Sequence, residues 1–147
     1  MNKKEMNNKG FSLVELIIVI AIMAILVGVL APQFIKYIES SRQSTDISTA
    51  SEYRAAVEAY VAENGLETGT IEVTVTPTGM YATVDLSDVG LASGSSDETK
   101  TKSTGWVAAG STANVASYSC TTYKWTPLAA GLANSKNPGK DMTDAFK

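Results

Sequence analysis

The chain has 147 residues, 12 of them basic and 15 acidic, for a formal charge of −3, with no histidine and one cysteine, Cys120. That length suits one domain with an appended segment. The composition excludes an internal disulfide and closes the imidazole routes to metal binding and general base catalysis.

Lys3, Lys4, Glu5 and Lys9 all precede Phe11. Without them 9 basic and 14 acidic residues remain, a balance of −5 that repels phosphate backbones and implies no nucleic-acid partner. The positive leader instead keeps the amino terminus in the cytoplasm and directs the rest outward across a bilayer.

From Leu16 to Ile35 no residue is charged, a run of twenty that matches the length of a membrane-spanning helix. It is longer than the roughly 7 to 15 apolar residues of a removable secretory signal, and it leads straight into an amphipathic pattern. A plain anchor explains the length but not Glu15, because a carboxylate in a spanning helix costs several kcal/mol, less near the interface. One explanation is local: Ser12-Leu13-Val14-Glu15 fits S-x-x-E, a capping box that satisfies free amides of the first turn. The other is assembly, in which the carboxylate meets a positive group inside an apolar bundle. Cutting between Gly10 and Phe11 creates such a group, an α-amine at a helix start.

Lys9-Gly10-Phe11-Ser12-Leu13-Val14-Glu15, followed by the apolar run as far as Pro32, resembles the class III signal of type IV prepilins and their relatives, the pseudopilins. The resemblance covers about the first third of the chain and departs nowhere from the family pattern. It implies a leader over 1–10 that a membrane aspartyl peptidase removes after Gly10, N-methylation of Phe11, and pairing of Glu15 with the Phe11 amine of a neighbouring subunit. It implies no cofactor and no enzymatic activity. Partners would be further copies of the chain, prepilin peptidase, the pilus assembly platform with its minor pilins, and the bilayer before assembly. The subunit would sit in the cytoplasmic membrane by a single pass with its head outside, and later in an extracellular filament. Such filaments serve motility, adhesion, aggregation or DNA uptake.

The segment 11–35 is thus read as the transmembrane and filament-core helix, and 36–65 as its amphipathic continuation. Phe34, Ile38, Ala50, Tyr53, Val57, Tyr60 and Val61 recur mostly at three- and four-residue steps, with Lys36, Glu39, Arg42, Asp46, Glu52, Arg54 and Glu58 largely between them. Asn64-Gly65 reads as the stop. Pro32, helped by Gly28, is expected to kink or locally unwind this helix; in the family such a proline marks where the helix melts on assembly. A bend tolerated within a membrane helix is the plainer reading.

Residues 66–147 are expected to form a globular head. Thr70–Thr76 alternates apolar and polar residues, Pro77-Thr78-Gly79 is a turn, and Met80–Leu86 is a second strand candidate. Ser93–Ser103 reads as a polar loop. Trp106–Ala109, Val115–Cys120 and Tyr123–Trp125 suggest two or three more strands, with Cys120 a small hydrophobe on one of them. Asn134–Lys147 shows little pattern and is read as loop or tail. The fold class is α+β, a long helix laid across a small antiparallel sheet, which matches the pilin fold. Many pilins close their last loop with a disulfide; pilins of Gram-positive bacteria often lack it, as this chain must.

No metal site is expected. Asp85, Asp88, Asp97, Glu98, Asp141 and Asp144 match no calcium-loop spacing and read as solvated charge. Of Trp106, Tyr118, Tyr123 and Trp125, alternate ones are expected to fill the inner face of the sheet, an adhesive or base-stacking surface being the alternative. Three readings of the whole chain follow: a pilus subunit, a pseudopilin of a secretion or DNA-uptake machine, and a membrane-anchored extracellular binding domain that never polymerises.

Overall fold

The computed structural model describes residues 10–94, 98–108, 114–126 and 132–147, with the backbone alone at 107–108 and 137–140. Helix α1, Leu13–Asn64, is followed by eight strands: β1 Thr70–Val75, β2 Gly79–Ala82, β3 Thr99–Lys100, β4 Trp106–Ala108, β5 Asn114–Ser119, β6 Lys124–Thr126, β7 Leu132–Asn134 and β8 Asn137–Asp141. The chain divides into two units, the first ending at Tyr37 and the second running from Ile38 to Lys147. The long helix and the antiparallel sheet make the expected α+β arrangement.

In the second unit α1 buries one face. Gln43, Asp46, Ala50, Tyr53, Val57 and Val61 lie at steps of three and four, so they share a stripe along the helix. Gly65, at φ 59°, lets the chain leave the helix, with the Leu66 N–H bonded to the Val61 carbonyl at 3.1 Å. The stripe differs from the sequence expectation at its start. Ile38 is exposed, and the first buried positions are the polar Gln43 and the charged Asp46, the latter among the residues that the pattern set between the apolar positions. Phe34, in the first unit, is also exposed.

The main sheet has the order β3-β2-β1-β5-β6. Its pairs are antiparallel, with Val73 opposite both Ala82 of β2 and Ala116 of β5. Alternation turns Ile71, Val73, Ala116 and Tyr118 inward, where they join Tyr53, Val57 and Val61 in one apolar core. Tyr53 also supplies polar closure: its phenol donates to the Met80 carbonyl at 2.9 Å, accepts the Ala92 N–H at 2.9 Å and bonds the Thr99 hydroxyl at 2.7 Å.

The expected hairpin is present, but its second strand stops at Ala82 instead of Leu86. The Asp85 carboxylate accepts the Ser87 N–H at 3.0 Å and turns the chain into a short 3-10 helix, Ser87–Val89. Of the four aromatics, alternate ones of which were expected inside, Trp106 and Tyr118 are buried and Trp125 is half-buried, its ring centroid 5.1 Å from that of Tyr118 and 5.3 Å from that of Phe146. Tyr123 is the exception: it is exposed at the β5–β6 turn with φ 54°.

A second, three-stranded sheet has the order β4-β7-β8. It corrects the expectation that 134–147 is loop or tail. Leu132 N–H and Thr143 N–H both bond to the Asp141 carboxylate, which thereby caps a 3-10 helix, Met142–Phe146, that buries Met142, Ala145 and Phe146. Arg54 further holds the main-chain oxygen of Lys147. Packing of this segment closes the core without a disulfide, while Cys120 is buried and free.

Asp46 is buried with only N–H partners: Lys102 N at 2.6 Å, Ser103 N at 2.8 Å and the Trp106 indole Nε1 at 2.7 Å. Hydrogen bonds to a charged group contribute about 1.5–3 kcal/mol. Trp106→Phe is therefore expected to lower stability by about that much while keeping an aromatic in place. Urea unfolding of the full chain in detergent, followed by the remaining Trp125 fluorescence, measures it.

Candidate processing and assembly segment

The described part of the first unit is an apolar helix whose one charged residue before Lys36 is Glu15. From Gly10 to Tyr37 every residue is exposed, including the large side chains of Phe11 at 87%, Leu16 at 60%, Ile25 at 69% and Leu30 at 60%. The helix is long and apolar enough to cross a membrane. A surface of this kind and extent far exceeds the few hundred Å² that soluble monomers expose. It requires lipid or other apolar helices around it.

Gly10 precedes the helix and is exposed, and a Cβ added to it would meet no atom within 4 Å. Among the described residues nothing demands glycine here. Phe11 follows, open to solvent, and Ser12 closes the helix end through its carbonyl, which accepts the Leu16 N–H at 3.1 Å. Glu15 lies in the first turn, where the positive end of the helix dipole favours a carboxylate. Among the described residues the reciprocal side-chain bonds of a capping box are not formed. Lys9 and the rest of the leader lie outside the described residues.

Gly28 and Pro32 sit four residues apart inside α1, which runs unbroken through both. Proline has no N–H, so the bond that residue 32 would donate to the carbonyl of residue 28 is missing. The helix continues across this gap in the structure, so the expected kink or unwinding is not a break in the element. Gly28 is the residue with least resistance to leaving helical geometry.

Asp85, Glu98, Asp141 and Asp144 of the head serve local structure. Hydrogen bonds from the Ser87 side chain and backbone, and from Ser93, hold Asp85 below the usual carboxylate range. Lys100 does the same for Glu98, and Asp144 pairs with Lys147. Asp141 caps the last 3-10 helix, and Asp97 lies outside the described residues. Among the described residues no three acidic, cysteine or histidine side chains gather as a metal site.

The segment is an exposed apolar helix that follows a glycine-phenylalanine junction and carries one early carboxylate, long and apolar enough to cross a membrane. Comparison with known proteins agrees. The family model for the prokaryotic N-terminal methylation motif matches residues 6–31. The chain is 43% identical over 61 residues to type IV major fimbrial protein FimA of Dichelobacter nodosus, 42% of this chain and 38% of that protein. It is 33% identical over 76 residues to prepilin peptidase-dependent protein A of Clostridium perfringens, 51% of this chain and 54% of that protein. Fimbrial protein EcpC of Eikenella corrodens is 38% identical over 58 residues, 40% of this chain and 38% of that protein. The chain thus spans between about a third and about a half of the length of these relatives. No solved structure matches at a comparable level. The amino-terminal segment, residues 6–31, carries the prokaryotic N-terminal methylation motif.

Sequence reasoning missed Gln43 and Asp46 as buried residues. One signal was available: both lie in register with Ala50, Tyr53 and Val57 on the same helical stripe.

Proposed function

We propose that the chain is a structural subunit of a type IV pilus. It enters the cytoplasmic membrane through its apolar helix, is cut after Gly10 by prepilin peptidase, is methylated at Phe11, and polymerises into an extracellular filament around a core of these helices. The observation that carries this reading is the fully exposed apolar helix with Glu15 in its first turn, lying within the matched methylation motif. In the filament Glu15 meets the Phe11 amine of a neighbouring copy. A register shifted by one subunit leaves that carboxylate buried and unpaired, and breaking a buried pair costs on the order of 3–5 kcal/mol. The pair therefore sets the stagger of subunits. Pro32 and Gly28 are where the helix yields during assembly, with the pilus platform and minor pilins as further partners. Its role is structural and not catalytic.

The space around Gly10 supports the assignment of the cut. A glycine that the fold does not need is explained by an enzyme that must approach the backbone closely, and any side chain there obstructs it. Intact-mass analysis and amino-terminal sequencing of protein sheared from its native host test this reading. The expected chain begins at N-methylated Phe11 and comes from filaments. A chain retaining Met1–Gly10 and found only in membranes overturns it. With Gly10→Val, the unprocessed mass is expected to dominate in the membrane and the sheared fraction to be empty.

A further inference from the structure

We propose that the β4–β7–β8 sheet is a locally opening part of the head, fastened to α1 by Asp46 and Glu39 and loosened by Gln43. The two sheets share no strand, so backbone hydrogen bonding does not join β4–β7–β8 to the main sheet. Trp106 and Leu132 share the apolar core with Tyr53 and Val57, and the polar fastening of β4 and β7 to the helix is gathered in one cluster beside the start of β4. The Asp46 carboxylate takes three N–H donors from Lys102, Ser103 and Trp106, at 2.6, 2.8 and 2.7 Å. The Ser103 hydroxyl bonds the Glu39 carboxylate, and its oxygen accepts the Asn134 amide at 3.0 Å and the Gly105 N–H at 3.2 Å. Through Trp106 and Asn134, both β4 and β7 reach the helix by way of these two carboxylates.

Glu39, Gln43 and Asp46 are spaced by four and three residues, so they share one helix face. Gln43 lies between the two fastening residues and is fully buried, yet among the described residues neither its Oε1 nor its Nε2 has a hydrogen-bond partner. A buried unpaired amide forfeits its hydration without recovering it. It therefore raises the free energy of the closed state and not of an open one in which water reaches it. Charge-assisted bonds at Asp46 pull the other way. Opposed terms on adjacent turns of one helix poise this sheet to open while the main sheet, built on the Tyr53, Val57 and Val61 contacts, stays shut. Opening uncovers Trp106 and Leu132, which the closed head buries.

Amide hydrogen exchange on the full chain in detergent micelles tests the proposal. In the unmodified protein the amides of Trp106–Ala108 and Leu132–Asn134 are expected to exchange faster than those of Ile71–Val75 and Val115–Ser119. Asp46→Asn should speed exchange in the first set by about 10- to 100-fold, the loss of one hydrogen bond to a charged group, and leave the second set unchanged. Gln43→Leu should slow the first set by roughly tenfold, as removal of a buried unpaired amide predicts. Equal acceleration of both sets by Asp46→Asn overturns the idea, since the head would then open as one unit. A Gln43→Leu chain that exchanges as fast as the original also overturns it. Should Asp46→Asn fail to fold, Ser103→Ala, which keeps the backbone N–H on Asp46, replaces it with the same expected pattern.

Discussion

Glu15→Ala is expected to yield a chain that is inserted and cleaved as before but is almost absent from filaments. Removing a carboxylate from the apolar helix lowers the cost of membrane insertion, so the variant should enter the bilayer at least as well. The proposed cut after Gly10 lies at the backbone before Phe11, four residues ahead of Glu15. Assembly is different, because in the proposed filament each subunit brings one carboxylate and one new amine into a dry bundle. Without the carboxylate, the neighbour's charged amine is buried alone, a penalty on the order of 3–5 kcal/mol per contact. At 1.4 kcal/mol per tenfold, that weakens subunit addition by on the order of 100- to 3,000-fold. Counting filaments by electron microscopy, with the mature mass measured in the membrane fraction, checks both halves. Filaments at normal number would sink the pairing, and loss of cleavage would place Glu15 in peptidase recognition instead.

The largest effect on the head is expected from Tyr53→Ala. Tyr53 is fully buried, the bulkiest of the completely enclosed side chains, and its phenol serves the Met80 carbonyl, the Ala92 N–H and the Thr99 hydroxyl. Truncating a large buried side chain to alanine costs about 3–5 kcal/mol. Total stability of such a domain is only about 5–15 kcal/mol, so a large share of it is lost. Tyr53→Phe keeps the ring and removes the hydroxyl, and should cost about 1–3 kcal/mol through the groups left without a partner. Urea midpoints of the full chain in detergent, read by Trp106 and Trp125 fluorescence, separate the two. The Tyr53→Ala chain should still lose its leader, since cleavage lies in the first unit. A phenylalanine variant as damaged as the alanine one would show that the hydrogen bonds, and not the packing, carry this residue.

The two predictions divide along the same line as legibility. Gly10, Phe11 and Glu15 could be proposed from sequence because their pattern is consecutive: a junction, a carboxylate four residues on, and a run of twenty uncharged residues. The helix stop at Asn64-Gly65 and the hairpin turn at 77–79 were readable for the same reason, since a positive φ or a proline leaves its mark at one position. Met80–Leu86 misled, because alternation continues past Ala82 while Asp85 turns the chain. Residues 134–147 misled more. β7 and β8 are short, and the burial of Met142 and Phe146 depends on contacts with distant parts of the chain, which leave no local period.

By itself the sequence determined the membrane-spanning length, the site of the proposed cut, the early carboxylate, the α+β class and the absence of a disulfide. Each is a property of residue types at fixed short spacing. Tertiary structure alone decided that Asp46 and Gln43 are interior, that the head has two sheets, and that residues 142–146 seal its core. The physical reason is that polar burial is chosen by partners. Asp46 is inside because three N–H groups, more than fifty residues away in the chain, converge on it, and no pattern around residue 46 records them.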